Sequence, residues 1–169
     1  MAITLSDIHD ALLDYFSSTI VPSIEVTPLP VGASEINPGE QFNITLTAKN
    51  SAGNAAKGVE IINVCYHVSI DDETRATLIA PERSVAIARE SFSTDSALVK
   101  VGEERKELYL FHDVTLHAGD TDTLVFQGHA LAAGTPKVTF HSHGEVDLVY
   151  LLTGNQTSAN TSRSVSIRT

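Results

Sequence analysis

The chain has 169 residues, enough for one domain with a sizeable hydrophobic core. Hydrophobic residues make up 42% of it and charged residues 19%, a composition typical of a globular protein and not of a disordered one. The formal net charge is -10 and no basic cluster offsets it, so binding to nucleic acid or to an anionic lipid surface is disfavoured.

Cysteine content and hydropathy indicate which classes of protein the sequence does not resemble. The single cysteine, Cys65, excludes an intrachain disulfide, and its place inside a strand pattern predicts a small buried thiol. No apolar run reaches the roughly 20 residues of a membrane-spanning helix. Residues 1–16 contain three aspartates and no lysine or arginine, unlike a signal peptide. We expect a cytoplasmic protein if the chain is complete, and an extracellular one if it is an excised domain.

Residues 4–18 have the clearest helical periodicity. Apolar side chains recur at i, i+3, i+7 and i+10, namely Leu5, Ile8, Leu12 and Tyr15. Thr4 and Asp7 have the spacing of a capping pair. We predict an amphipathic helix over 4–18, whose apolar side covers either the end of a sheet or a partner chain.

Proline punctuates the next stretch, at Pro22, Pro28 and Pro30. Because proline cannot donate to a strand ladder, this stretch is predicted to be an edge strand or a linker. The tripeptide 37–39, Asn-Pro-Gly, is a turn signal.

Two period-2 runs within residues 36–70 organise the rest of the chain. The first, 41–49, alternates apolar and polar residues, with Phe42, Ile44, Leu46 and Ala48 on one side. The second, 60–70, is predicted to place on one face Ile62, Val64, Tyr66, Val68 and Ile70, and on the other Asn63, Cys65, His67 and Ser69. Both patterns are typical of strands with one buried face, and residues 50–54 are predicted to turn the chain between them.

The remaining sequence is less regular. Residues 71–106 are predicted to form an elaborated loop region with one or two short strands, near 84–89 and 97–101. Apolar alternation then predicts strands over 107–116, 123–130, 137–142 and 145–152. The polar segment 153–163 is predicted to be a mobile loop, and Val165 and Ile167 a final short strand.

Eight or nine short strands, with no alternation of strands and helices, predict an all-β fold. We predict an immunoglobulin-like antiparallel β-sandwich with one N-terminal amphipathic helix. A single domain is expected over 1–169, in which the helix covers 4–18 and the sandwich 22–168.

Two stretches resemble known domains. The string NPGEQFNITLTAKNSAGNAAKGVEI, within 36–70, and VTLHAGDTDTLVF, within 113–140, resemble CARDB-type and related bacterial immunoglobulin-like domains. In such domains a Pro-Gly-Glu turn precedes a strand and an Asn-x-x-Gly turn follows it. The resemblance implies a binding or spacer module without catalytic residues.

One candidate metal site stands out. On an unbroken strand, His141, His143 and Glu145 project from one face, and i, i+2 side chains about 6–7 Å apart suit Zn²⁺ or Cu²⁺. A third imidazole could come from a neighbouring strand, from His112, His117 or His129. The alternative is that these histidines lie on a solvated sheet face.

Two acidic loops are candidates for Ca²⁺, which prefers six to eight oxygens. They contain Asp71, Asp72 and Glu73 in one case and Asp120 and Asp122 in the other. The alternative is a plain solvated turn. No nucleophile elbow or phosphate-binding glycine loop occurs, so we predict that the protein is not an enzyme.

The function predicted from the sequence is a non-catalytic structural or protein-interaction module. Its partner is another protein or a second copy of the chain. The alternative is a metal-binding protein or metalloenzyme that uses the His-x-His strand.

Overall fold

The computed structural model describes residues 2–8, 18–52, 60–81, 87–88, 97–147 and 155–169. These residues contain eleven strands. In chain order they are β1 (Ser18–Pro28), β2 (Gln41–Ala52), β3 (Glu60–Ile70), β4 (Ala76–Ile79), β5 (Ile87–Ala88), β6 (Ala97–Leu98), β7 (Glu104–Arg105), β8 (Glu107–Leu116), β9 (Thr121–Ala130), β10 (Lys137–Asp147) and β11 (Asn155–Ser164).

The strands form two facing sheets and one small pair. The order is β1-β2-β9-β4-β7 in the five-stranded sheet and β11-β10-β3-β8 in the four-stranded sheet, and β5 pairs with β6. Every strand pair between described residues is antiparallel. The predicted all-β sandwich is therefore confirmed. No described helix is long and apolar enough to cross a membrane.

The core lies between the two period-2 runs found in the sequence. Phe42, Ile44 and Leu46 of β2 are fully buried, as are Tyr66 and Val68 of β3. The Tyr66 ring stacks on Phe140 of β10, with centroids 5.2 Å apart. Alternation on both strands thus places large apolar side chains between the sheets, where burial removes them from water.

A β-bulge interrupts the predicted face of β3. Asn63 has a φ of 53°, and the pairing of β3 with both neighbours shifts at this point. As a result Ile61 is fully buried whereas Ile62 is only partly buried. The prediction that Ile62 shares the buried face was wrong, because an extra residue at a bulge reverses the alternation.

Two glycines mark places where strands meet the core closely. A Cβ on Gly128 of β9 would lie 2.3 Å from the Phe42 ring, and a Cβ on Gly144 of β10 would lie 2.3 Å from Ile61. Both distances are far below van der Waals contact. Glycine at these positions lets buried side chains of the neighbouring strand fill the space.

The two edge strands β1 and β11 close one side of the sandwich. The edge position of β1, predicted from its prolines, is confirmed because β1 pairs only with β2 among the described strands. The Ile20 N–H donates to Thr157 Oγ1 of β11 at 3.1 Å. The prediction of a mobile loop over 153–163 was wrong from residue 155 onward, because β11 pairs with β10 along its length. An edge strand has a neighbouring strand on one side only and buries few of its side chains, so polar residues suit it.

The turn predicted over 50–54 was wrong for residues 50–52, which belong to strand β2. Asn50 and Ser51 belong to β2 and pair with Ile20 and Thr19. Asn50 is fully buried, and its Nδ2 donates to the Leu116 carbonyl at 2.8 Å, which links the two sheets. Residues 53–54 lie outside the described residues.

The N-terminal prediction is met in part. Residues 5–8 are helical, and the capping pair forms, since the Asp7 N–H donates to Thr4 Oγ1 at 3.1 Å and the Thr4 N–H donates to Asp7 Oδ2 at 2.8 Å. Residues 9–17 of the predicted helix lie outside the described residues. Ser18 begins β1, so the predicted helix end at 18 was wrong.

The region 71–106 contains more sheet than predicted. Four short strands, β4 to β7, lie in it instead of one or two. Strand β4 pairs with β9 and β7 inside the five-stranded sheet, and Ala76 and Leu78 are fully buried. The final strand predicted at Val165 and Ile167 reduces to isolated bridges of Ile167 with Ile36 and Gly134.

Candidate functional site

The outer face of the four-stranded sheet carries a row of stacked rings. His141 of β10 pairs directly with His67 of β3, and His67 pairs with Tyr109 of β8. The His67 and Tyr109 ring centroids are 4.1 Å apart with an interplanar angle of 6°, and those of His67 and His141 are 5.2 Å apart at 24°. Three adjacent strands therefore align three rings along one line across the sheet.

Two further side chains extend this row into a surface. Phe111, two residues after Tyr109 on β8, is 41% exposed, and His143, two residues after His141 on β10, is also exposed. We call this surface the ring face; it comprises His67, Tyr109, Phe111, His141 and His143. The neighbouring residues Leu110, Phe140 and Ser142 are buried in the core. Side chains along β8 and β10 therefore alternate between the core and the ring face.

Carboxylates flank the ring face. Glu107 Oε1 accepts a hydrogen bond from the Tyr109 hydroxyl at 3.2 Å and lies in close contact with His67 Nε2. On β10, Glu145 Oε2 accepts from Asn63 Nδ2 at 3.0 Å. Glu107 thereby orients two of the three stacked rings, much as a carboxylate orients an imidazole in other sites.

The predicted alternation on β10 is confirmed, and Gly144 does not break it. Ser142, Gly144 and Val146 are buried, whereas His143 and Glu145 are exposed. His141, His143 and Glu145 therefore lie on one face of the strand, as the sequence predicted. The structure also places His67 directly opposite His141. The sequence predicted that His67 lies on the outer face of its own strand, but it did not predict this pairing.

Partial burial of His143 lowers its pKa, because burial disfavours the charged imidazole. Repulsion from the imidazoles of His67 and His141 lowers it further. The histidine is therefore neutral at pH 7. Cys65, the β3 partner of His143, has its thiol pKa raised to about 11 by burial. A thiol with that pKa is almost entirely protonated near neutral pH and is a poor nucleophile.

The three histidines proposed as a third metal ligand each contact a different carboxylate. His112 Nδ1 lies 2.6 Å from Asp122 Oδ2, His117 Nε2 lies 2.9 Å from Glu60 Oε1, and His129 is hydrogen-bonded to Glu104. The structure does not bring them to His141. Over the described ranges, no group of three or more His, Cys, Asp or Glu side chains is arranged to hold a metal ion.

The acidic loops proposed for Ca²⁺ use their carboxylates internally. Asp71 Oδ1 accepts from the Lys137 N–H at 2.7 Å, and Asp72 accepts from Thr74 and Arg75. The hydrogen bonds from Thr74 and Arg75 lower the pKa of Asp72, and the bond from the Thr74 hydroxyl has the largest effect. In the second loop, Asp120 Oδ2 accepts from the His117 N–H at 3.1 Å.

Asp122 belongs to a polar cluster between the sheets that sequence analysis missed. The hydroxyl of the fully buried Tyr66 donates to Asp122 Oδ2, which also contacts His112. Burial and the Asp122 carboxylate both raise the pKa of Tyr66, burial most. The cluster ties β3, β8 and β9 together, and no sequence motif signals it, because its members come from three separate strands.

Neither a protein-family model nor a curated protein matches the sequence. Several solved structures are similar to it. A cohesin module from a family 33 glycoside hydrolase of Clostridium perfringens has a TM-score of 0.56 at 15% identity, covering 89% of this chain and 98% of that module. A CARDB domain of the PF1109 protein from Pyrococcus furiosus has a TM-score of 0.43 at 12% identity, covering 90% of each chain.

A third similar structure is the C-terminal domain of the AgI/II polypeptide BspA from Streptococcus agalactiae. Its TM-score is 0.37 at 13% identity, and the match covers 88% of this chain and 50% of that one. The two antiparallel sheets and the similarity to the cohesin module show the predicted fold, an immunoglobulin-like β-sandwich. CARDB domains are among the similar structures, in line with the resemblance found in the sequence.

Proposed function

We propose that this protein is a non-catalytic protein-interaction module that binds its partner on the ring face. The observation that carries the proposal is the stacked row of Tyr109, His67 and His141 across three paired strands. Rings held in place by a sheet supply contact area at little cost in conformational entropy, which is what binding surfaces require.

The chemistry of nearby groups also supports a non-catalytic role. Cys65 pairs with His143 across the two strands, and its pKa of about 11 leaves little thiolate at neutral pH. The buried Ser142 hydroxyl donates to the Ala159 carbonyl at 3.2 Å, so it serves the pairing of β10 with β11.

The test is affinity capture with matched variants. The immobilised protein is exposed to a lysate of the source organism, beside a His141→Ala/Tyr109→Ala variant and a Thr45→Ala control on the outer face of the other sheet. We expect a protein that the wild type and the control retain and the ring-face variant loses. Calorimetry with that purified protein should then give at least a tenfold weaker affinity for the ring-face variant. Equal retention by all three would contradict the proposal.

We further propose that the protein self-associates through a second surface. It is supported by the apolar side chains of the first described residues, since Ile3 is 74% exposed, Leu5 87% and Ile8 48%. Removing residues 1–8 leaves β1 complete, because β1 begins at Ser18. Light scattering should show a dimer or larger species for the full chain and a monomer for the shortened one. A monomer in both cases would exclude self-association.

Metal binding remains the second candidate, supported by the placement of His67 directly opposite His141 and of His143 two residues further on. Imidazole nitrogens are common ligands of Zn²⁺ and Cu²⁺, and partly exposed rings can reorient to share an ion. Elemental analysis after incubation with Zn²⁺ or Cu²⁺ and gel filtration should give one equivalent for the wild type and none for His141→Ala. The same content in both proteins would exclude this site.

A further inference from the structure

We propose that the ring face recognises an arginine-bearing segment of another protein, with guanidinium groups stacking on the aligned rings beside the Glu107 carboxylate. This inference rests on the proposed function and adds the chemistry of the partner. It follows from two features of one surface, namely aligned planar rings and adjacent negative charge.

The ring geometry favours a planar cation. Guanidinium groups stack on aromatic faces and form bidentate hydrogen bonds with carboxylates, whereas an ammonium group acts as a point charge. The rings of Tyr109 and His67 are nearly parallel, and the side chain of Glu107 beside them is 46% exposed. Because Tyr109 and His141 cover the His67 ring from both sides, a planar cation can extend the stack only on the outer faces of Tyr109 and His141. On Tyr109 it lies near the Glu107 carboxylate, which the Tyr109 hydroxyl contacts.

Charge complementarity points the same way. The chain has a net charge of -10, which attracts basic partners over a distance. On the ring face and along its rim, the described charged side chains include two carboxylates and one lysine. The charged and titratable groups are Cys65 and His67 from β3, Glu107 and Tyr109 from β8, and Lys137, His141, His143 and Glu145 from β10. The β11 partners of Lys137, His141 and His143, namely Ser164, Asn160 and Ser158, do not titrate.

This distribution makes binding dependent on pH. The three imidazoles are adjacent, and protonation would put positive charge where the cation binds. Burial and the two neighbouring imidazoles hold the pKa of His143 below the ordinary histidine value. We expect affinity for a cationic segment to fall by roughly tenfold between pH 7.5 and pH 5.5, because any proton bound by an imidazole on this surface repels the cation.

The experiment is a titration of the full chain, followed by amide chemical shifts. The probes are two peptides that differ only in their cations, acetyl-Gly-Arg-Gly-Arg-Gly-amide and the lysine equivalent. We expect the arginine peptide to shift the amides of β3, β8 and β10 around the ring face, with an affinity at least fivefold above that of the lysine peptide. His141→Ala should weaken the arginine peptide at least fivefold, and Thr45→Ala should leave it unchanged.

Three results would overturn the inference. They are equal affinity for the two peptides, shifts spread over the whole acidic surface, and an unchanged affinity in His141→Ala. Any of them would leave the proposed function standing if a captured protein still required the ring face. Loss of that requirement would instead remove the proposed function itself, so the two failures are distinguishable.

Discussion

At the scale of single residues, the close approach of Gly128 to the Phe42 ring is the sharpest constraint in the core. A methyl group there would lie 2.3 Å from the ring, and Phe42 is fully buried, so it has little room to move. We predict that Gly128→Ala lowers the free energy of unfolding by about 1–3 kcal/mol, the usual cost of overpacking. Urea denaturation measures it.

The matched control is Gln127→Ala, the preceding residue on β9, whose side chain is exposed. It should change the free energy of unfolding by less than about 0.5 kcal/mol. Equal stabilities for Gly128→Ala and the control would show that β2 and β9 do not pair as described.

His143 gives a second residue-scale prediction, on pH. Its pKa is lowered in the folded protein, so the unfolded chain binds a proton first as the pH falls. Stability should therefore decrease as the pH drops from about 6.5, the unperturbed histidine value, toward the lower pKa of the folded state. His143→Gln cannot take up this proton, and its thermal midpoint should fall less between pH 7 and pH 5. An equal fall in both proteins would contradict the assigned direction.

At the scale of elements, regular alternation was predictable from sequence and edge pairing was not. Strands β2 and β3 could be predicted because each has one buried face and one solvent-exposed face. Apolar and polar residues therefore alternate along their sequences. The small, polar residues of β11 predict a loop. An edge strand that pairs with β10 and contacts β1 needs few large apolar groups, so composition alone does not distinguish it from a loop.

Hydrogen exchange tests β11 directly. In a strand paired with β10, alternate amides between Asn155 and Ser164 donate to the neighbouring backbone and are protected from exchange. We predict slow exchange at these alternate positions. Exchange at the rate of an unstructured peptide throughout 155–164 would restore the loop prediction and remove the β10 edge partner.

Most of the candidate site could be predicted one strand at a time, but not its assembly. The i, i+2 spacing placed His141 and His143 together, and the alternation of β3 placed His67 on an outer face. The sequence does not contain the order β10-β3-β8, because these strands are separated by long connections and pair through tertiary contacts. The choice of His112, His117 or His129 as a neighbour failed for this reason.

At the scale of the whole molecule, the two faces of the sandwich differ in chemistry. The five-stranded sheet exposes threonines, with Thr47 and Thr123 hydroxyls 3.4 Å apart, and two aliphatic side chains, Val21 and Val125. The four-stranded sheet exposes the stacked rings with a carboxylate beside them. Because aromatic groups dominate the energetics of protein interfaces, this asymmetry supports our proposal that the partner binds the four-stranded sheet.

The central claim is that one named face of the sandwich meets the partner, and cross-saturation NMR tests it most directly. In a complex of the deuterated protein with its captured partner, saturation of the partner should pass to the amides of β3, β8 and β10 near Tyr109, His67 and His141. Saturation passing instead to the outer face of β2 and β9 would contradict the account.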